Sequence, residues 1–147
     1  MAMAGEARAS TPDLATVVAV RVERVSGLPN GGSATAAAAG RWLAGCRFTA
    51  MNALGWTIYS ATIWQEFASD GFRITYFPPE SMSTEAHWGW SLTNASTFQW
   101  WVTHPTTAAA RGNWTFTQWV RGQPFQSRSG WVMVTIRHTG TWSCSSS

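Results

Sequence analysis

The stretch Thr97-Phe98-Gln99-Trp100-Trp101-Val102-Thr103 places Phe98, Trp100 and Val102 at alternate positions against Thr97, Gln99 and Thr103. A period of two sends each set to its own face of an extended chain. The same alternation recurs on both sides. Cys46, Phe48 and Ala50 alternate with Arg47 and Thr49, and Phe72, Ile74 and Tyr76 with Arg73, Thr75 and Phe77. Trp56 to Trp64 forms another run. Trp88, Trp90 and Leu92 alternate with His87, Gly89 and Ser91, and Trp114, Phe116 and Val120 follow, with Gln118 as the exception. Trp131 to Ile136 is apolar on both faces, as befits a central strand. Asp70-Gly71 signals a turn, and Pro78-Pro79 ends a strand because proline has no N–H for the ladder. These segments predict an all-β fold, an antiparallel β-sandwich of about seven to eight short strands, with a closed barrel as the other solution.

Thr97 to Val102 also matches Thr115 to Val120 at four of six positions. One echo at so short a period is no repeat architecture. It reads as two strands in similar surroundings, the two arms of a hairpin.

The N-terminal third is less regular. Residues 1–15 read as a mobile lead-in and 16–147 as one β-sandwich domain. Over Leu14 to Val25 a strand puts Val18, Val20 and Val22 on one face, while a helix gathers Leu14, Val17, Val18, Val22 and Val25. The stiffness of β-branched valine favours the strand. Ser26 to Gly32 stops it, and Ala34 to Ala44 is either a short helix or a small-residue linker. Residues 26–45 thus form a Gly/Ala-rich connection, and the N-terminal segment is flexible or partly helical.

Composition narrows the function. Only 12% of the 147 residues are charged, all ten basic residues are arginine, and the net charge is +3. The arginines are dispersed from Arg8 to Arg137 and make no basic stripe, which argues against nucleic acid. Of the seven carboxylates, Glu66, Asp70, Glu80 and Glu85 fall at predicted loops and form no glycosidase pair. His87, His104 and His138 have no metal-ligand spacing, and no cofactor motif or nucleophile elbow occurs. The expectation is a noncatalytic protein without a cofactor. Phe48 to Gln65 is uncharged, but its polar residues recur at strand-like intervals and argue against a spanning helix. No signal peptide is visible.

Cys46 and Cys144 bracket nearly all of the aromatic region. Either they stay as thiols or they join in a disulfide, which points to an oxidising compartment and a secreted protein. Asn94-Ala95-Ser96 and Asn113-Trp114-Thr115 are sequons, weak signals in a chain this rich in Ser and Thr.

The outstanding feature is tryptophan, with 11 copies. A core of this size holds about four or five indoles, so several must reach the surface. Trp100 and Trp101 are strand neighbours, so one faces inward and the other outward. Exposed indoles suit lipid headgroups or the flat face of a sugar. For lipid, the candidate surface is Trp88, Trp90, Trp100, Trp101 and Trp119, with Arg111 and Arg121 for phosphate. Residues 14–25 are then the segment able to change partner. For a carbohydrate-binding module or lectin, Asn113 and Gln118 join the Trp platforms. A third reading is a self-assembling homo-oligomer that buries the indoles between copies.

The run Asp70-Gly71-Phe72-Arg73-Ile74-Thr75-Tyr76-Phe77-Pro78-Pro79-Glu80-Ser81-Met82, then Trp88-Gly89-Trp90-Ser91, with Asn52-Ala53-Leu54-Gly55 before it, resembles a pattern in the aegerolysin and actinoporin-like β-sandwich cytolysins. The likeness spans residues 52 to 92 and lacks the Gly-Thr-x-Gly turn those proteins usually carry next. It implies a secreted sandwich that adsorbs to lipid through exposed aromatics and oligomerises into a pore. No residue carries over singly.

Overall fold

The computed structural model describes residues 13–27 and 39–147. Nine strands follow in order: β1 (Ala19–Ser26), β2 (Ala39–Met51), β3 (Thr57–Asp70), β4 (Ile74–Tyr76), β5 (Ser81–Ala86), β6 (Trp90–Thr103), β7 (Thr107–Val120), β8 (Gln123–Arg137) and β9 (Trp142–Ser146). All pairings are antiparallel. One sheet runs β1-β2-β3, with β4 and β5 both on the far edge of β3; the other runs β6-β7-β8-β9. The sheets pack face to face, β1 over β9, β2 over β8, β3 over β7 and β5 over β6. The fold is the β-sandwich that the alternation predicts.

The strands depart from expectation in length. Five of them run 13 to 15 residues. The runs Trp90–Leu92 and Phe98–Thr103 belong to a single strand, β6. The polar stretch Thr93 to Thr97 between them is an exposed part of that strand, irregular only at the bulge between Leu92 and Asn94. Likewise β8 begins at Gln123, well before Trp131, and continues through Ser127 and Ser129. Their hydroxyls pair across the strands with Thr117 and Thr115, so a polar row there is a sheet surface rather than a turn. The echoing segments do lie on adjacent hairpin arms, β6 and β7.

Leu14 to Val25 resolves as a turn leading into a strand. Residues 13–15 belong to the folded body: the Asn52 amide donates to the Leu14 carbonyl and the Trp90 indole to that of Ala15. Ala39 to Gly45 is strand, which narrows the expected connection, while 28–38 lie outside the described residues. The small residues there serve packing. A side chain at Gly45 would meet the Trp64 ring and Val25 within 2.7 Å. The glycine lets Trp64 lie flat across β2.

The double proline splits what is otherwise one strand into β4 and β5. The fully buried Gln65 repairs the break, its amide donating to the carbonyls of Pro78 at 2.7 Å and Glu66 at 2.8 Å. From the facing sheet, the Gln99 carbonyl accepts from the Glu80 N–H.

The core has an aromatic centre at one end. Tyr59 stacks on Phe116 at 4.3 Å between centroids, with Phe48, Trp90 and Trp114 around it. Burial holds the Tyr59 phenol above its ordinary value, an effect that Arg128 partly offsets. The disulfide Cys46–Cys144 forms and joins the two sheets, β2 to β9. Because β9 is only 5 residues long, it leaves part of β1 open, and Val18, Val20 and Val22 are exposed there.

Candidate binding surfaces

The interior buries three indoles, Trp42, Trp90 and Trp114. Five more are half-buried, and each is seated by specific neighbours. Trp64 lies over Gly45 and donates to the Ser83 hydroxyl. Trp101 packs at the core margin against Phe77 and His104. Trp100 points the other way and stacks on exposed Phe98, so the neighbouring pair does divide between the two faces. Trp131 and Trp142 lie beneath the guanidinium groups of Arg111 and Arg24, at 4.5 and 4.6 Å from the ring centroids. Arginine's planar cation covers a ring that would otherwise face water.

The three most exposed indoles are Trp56, Trp88 and Trp119, at 52%, 39% and 40%. All three stand at the same end of the sandwich. Trp56 closes the β2–β3 turn, Trp88 lies in the β5–β6 turn, and Trp119 lies next to the tip of the β7–β8 hairpin. Trp56 and Trp88 stack with centroids 6.1 Å apart. The Trp119 N–H donates to the Gly89 carbonyl, and its indole N–H to the Ser91 hydroxyl. Leu54, Val120 and Phe125 are exposed at this end too, Phe125 at 68% in the bulge opposite Trp119. At the other end the exposed large apolar residues on a turn reduce, among the described residues, to Phe72.

Two local sequences build this end. Trp88-Gly89 and Arg121-Gly122 each form a two-residue turn with both φ angles positive, 53° and 84°, then 54° and 77°. That is the hairpin geometry matching the right-handed strand twist, and glycine supplies its second position. The turn lifts Trp88 out of the strand period. Trp88 and Trp90 therefore do not share a face, and the expected membership of Trp90 in an exposed surface is corrected. It is 4% exposed and packs on Tyr59.

The remaining candidates separate. Arg121 sits at the apolar end, at the hairpin tip. Arg111, Asn113 and Trp100 lie on the outer face of the β6–β9 sheet, away from that tip. Gln118 turns its amide to Gln126. Sequence reasoning missed Trp56, Leu54 and Phe125; the turn signal Asn52-Ala53-Leu54-Gly55 next to Trp56 marks the first two. Asn52 organises that turn, its side-chain oxygen accepting from the N–H groups of Leu54 and Trp56.

Glu85 and His87 form a pair near this end. The Glu85 carboxylate bonds to the His87 ring at 2.9 Å and to the Ser60 hydroxyl at 3.2 Å. These contacts, His87 foremost, hold it below its ordinary value. Glu85 stands between the serine and the histidine, so the imidazole does not bond to Ser60 and the order differs from that of a Ser-His-Asp triad. Glu66 and Glu85 are on strands rather than at the expected loops, and Glu66 pairs with Arg41 at 2.7 Å. Among the described residues no group of three His, Cys, Asp or Glu stands close enough to hold a metal. Compared with protein-family models, with curated proteins and with solved structures, the chain matches none.

Proposed function

We propose that this is a noncatalytic, secreted binding protein that adsorbs to lipid membranes through the end formed by Trp56, Trp88 and Trp119. The observation that carries the reading is the convergence of the three exposed indoles on one end, together with Leu54, Val120 and Phe125. Scattered rings would be ordinary surface; a contiguous apolar set rimmed by polar groups marks an interaction site. Indoles, with an apolar body and one polar N–H, suit the headgroup boundary. The disulfide is compatible with an extracellular setting.

Magnitudes favour reversible adsorption. A buried indole removes about 150–250 Å² from water. Roughly half of that remains exposed on each of the three, so each contributes about 2 kcal/mol at ~25 cal/mol per Å². The trio gives about 6 kcal/mol, comparable to one myristoyl chain with its K of about 10⁴ M⁻¹. The resemblance to aegerolysin and actinoporin-like cytolysins points the same way. The edge strand β1, bonded on one side and carrying exposed valines, is the segment best placed to change partner in an oligomeric state. Co-sedimentation with phosphatidylcholine and phosphatidylserine vesicles tests the reading. Binding with a blue shift in Trp emission is expected; a protein that stays in the supernatant with unchanged emission contradicts it.

A further inference from the structure

We propose that the outer face of the β6–β9 sheet holds a second site, a trough for a sugar bearing a carboxylate or sulfate group, with Arg111 as its anion-binding residue. The trough measures about 380 Å³ and crosses β6, β7 and β8, a size suited to a small ligand. Its walls offer the Arg111 guanidinium, the Asn113 amide, and the hydroxyls of Ser96, Thr115 and Ser129 beside Trp131. No aspartate or glutamate lines it, and Ser147 stands at its border beside Gly130 and Trp131.

Arg111 is held from two directions. Its guanidinium rests 4.5 Å over the Trp131 ring, and its Nε donates to the Asn113 side-chain oxygen at 3.0 Å. Asn113 in turn donates to Ser96. Among the described residues Arg21, Arg41 and Arg73 reach carboxylates, whereas none comes within ion-pair distance of Arg111. A cation held in place on the wall of a hydroxyl-lined trough, with no ion-pair partner, is organised for a two-oxygen anion. Prior fixing also lowers the ordering cost of binding. The surrounding hydroxyls and amide match the donors and acceptors of a sugar ring.

The choice of a sugar over a lipid phosphate rests on adsorption through the indole end. Asn113 lies eight residues from the Arg121 tip. At ~3.3 Å per residue this is about 26 Å along the strand. The headgroup layer on each side of a bilayer is only about 5–8 Å deep. A glycan standing above the surface reaches the trough; a headgroup beneath the tip does not.

The test uses protein from a bacterial host, so that Asn94 and Asn113 carry no glycan. Calorimetry compares 3′-sialyllactose with lactose, and dextran sulfate with neutral dextran. At least one acidic probe should bind while its neutral partner does not, and the acidic arm that binds identifies the carboxylate or the sulfate as the preferred group. Arg111→Gln should weaken binding about tenfold or more, Arg111→Lys should restore part of it, and Ser129→Phe, which fills the trough from an exposed position, should abolish it. Arg137→Gln, on the same sheet, should bind as wild type, and vesicle adsorption of Arg111→Gln should be unchanged. The proposal is overturned if neutral and acidic probes bind alike or not at all. Equal losses in Arg111→Gln and Arg137→Gln would reduce the effect to diffuse charge attraction, and loss of vesicle adsorption in Arg111→Gln would assign the trough to a lipid phosphate. Failure of vesicle binding by the wild type, with sugar binding intact, would sink the adsorption reading and leave this site standing.

Discussion

Replacing the disulfide, Cys46→Ala with Cys144→Ala, should remove a large share of the protein's stability. The bridge spans a sequence separation of 98 and joins the middle of one sheet to the edge of the other. In the chain-entropy treatment, closing a loop of about 100 residues is worth about 4.7 kcal/mol, because the crosslinked unfolded chain has fewer conformations. Total stability for a domain is about 5–15 kcal/mol, so the loss takes a third or more of it. For a chain of this size, each kcal/mol moves the melting point by about 2–4 °C, giving a drop of roughly 10–18 °C. Cys46 is fully buried, so truncating it adds to the loss. The assay is urea unfolding of oxidised wild type and double variant, followed by Trp emission. The denaturant slope should rise in the variant, whose unfolded chain expands further. A loss below about 1 kcal/mol with an unchanged slope would refute the reasoning, because the bridge would then constrain nothing the unfolded chain explores.

Trp88→Gly relieves a left-handed backbone position, worth about 1 kcal/mol, and forfeits the stack on Trp56, so the melting point should hardly move. Vesicle affinity should nevertheless fall roughly 30-fold for the loss of about 2 kcal/mol, and wild-type affinity in this variant would contradict the role of the indole end. Gln65→Leu strands the carbonyls of Pro78 and Glu66 in the interior and should cost about 2 kcal/mol in urea unfolding; a neutral result would show that the double-proline break needs no repair. Because the folded Tyr59 phenol titrates above the unfolded value near 10, its contribution is complete below pH 10. It declines above that as the unfolded chain ionises first, so the urea midpoint should drop as the pH rises above 10, and a rising midpoint would be inconsistent. Arg121→Glu should weaken adsorption to phosphatidylserine vesicles by about 1–2 kcal/mol and leave phosphatidylcholine vesicles nearly unaffected; equal loss on both would remove Arg121 from the interface.

The architecture was legible because Cys46 to Ala50 and Phe98 to Val102 each keep a two-residue period, while Trp131 to Ile136 is apolar on both faces, as suits the interior strand β8. Strand ends were less legible. Ser127, Ser129 and Thr93 to Thr97 have the composition of turns, yet they continue strands because their hydroxyls bond across the sheet. Ala39 to Ala44 has helical propensity by composition, and the pairing of β2 between β1 and β3 overrides it. For the site, the excess of indoles did announce exposed rings, but not which ones. Trp88 and Trp90 read as partners on one face until the Trp88-Gly89 turn separates them. Arg111 and Arg24 were visible as surface cations, and nothing in the sequence tells that each rests over an indole of another strand, Trp131 of the neighbouring arm for Arg111 and Trp142 of the opposite sheet for Arg24.

Residue-resolved hydroxyl-radical footprinting, with and without phosphatidylcholine–phosphatidylserine vesicles, tests the convergence of exposed rings most directly. Oxidation of Trp56, Trp88, Trp119 and Phe125 should fall together when vesicles are added, while Phe72 at the opposite end and Phe98 and Trp100 on the sheet face keep their free-protein rates. Protection spread over both ends, or centred on Phe98 and Trp100, would contradict adsorption through the indole end.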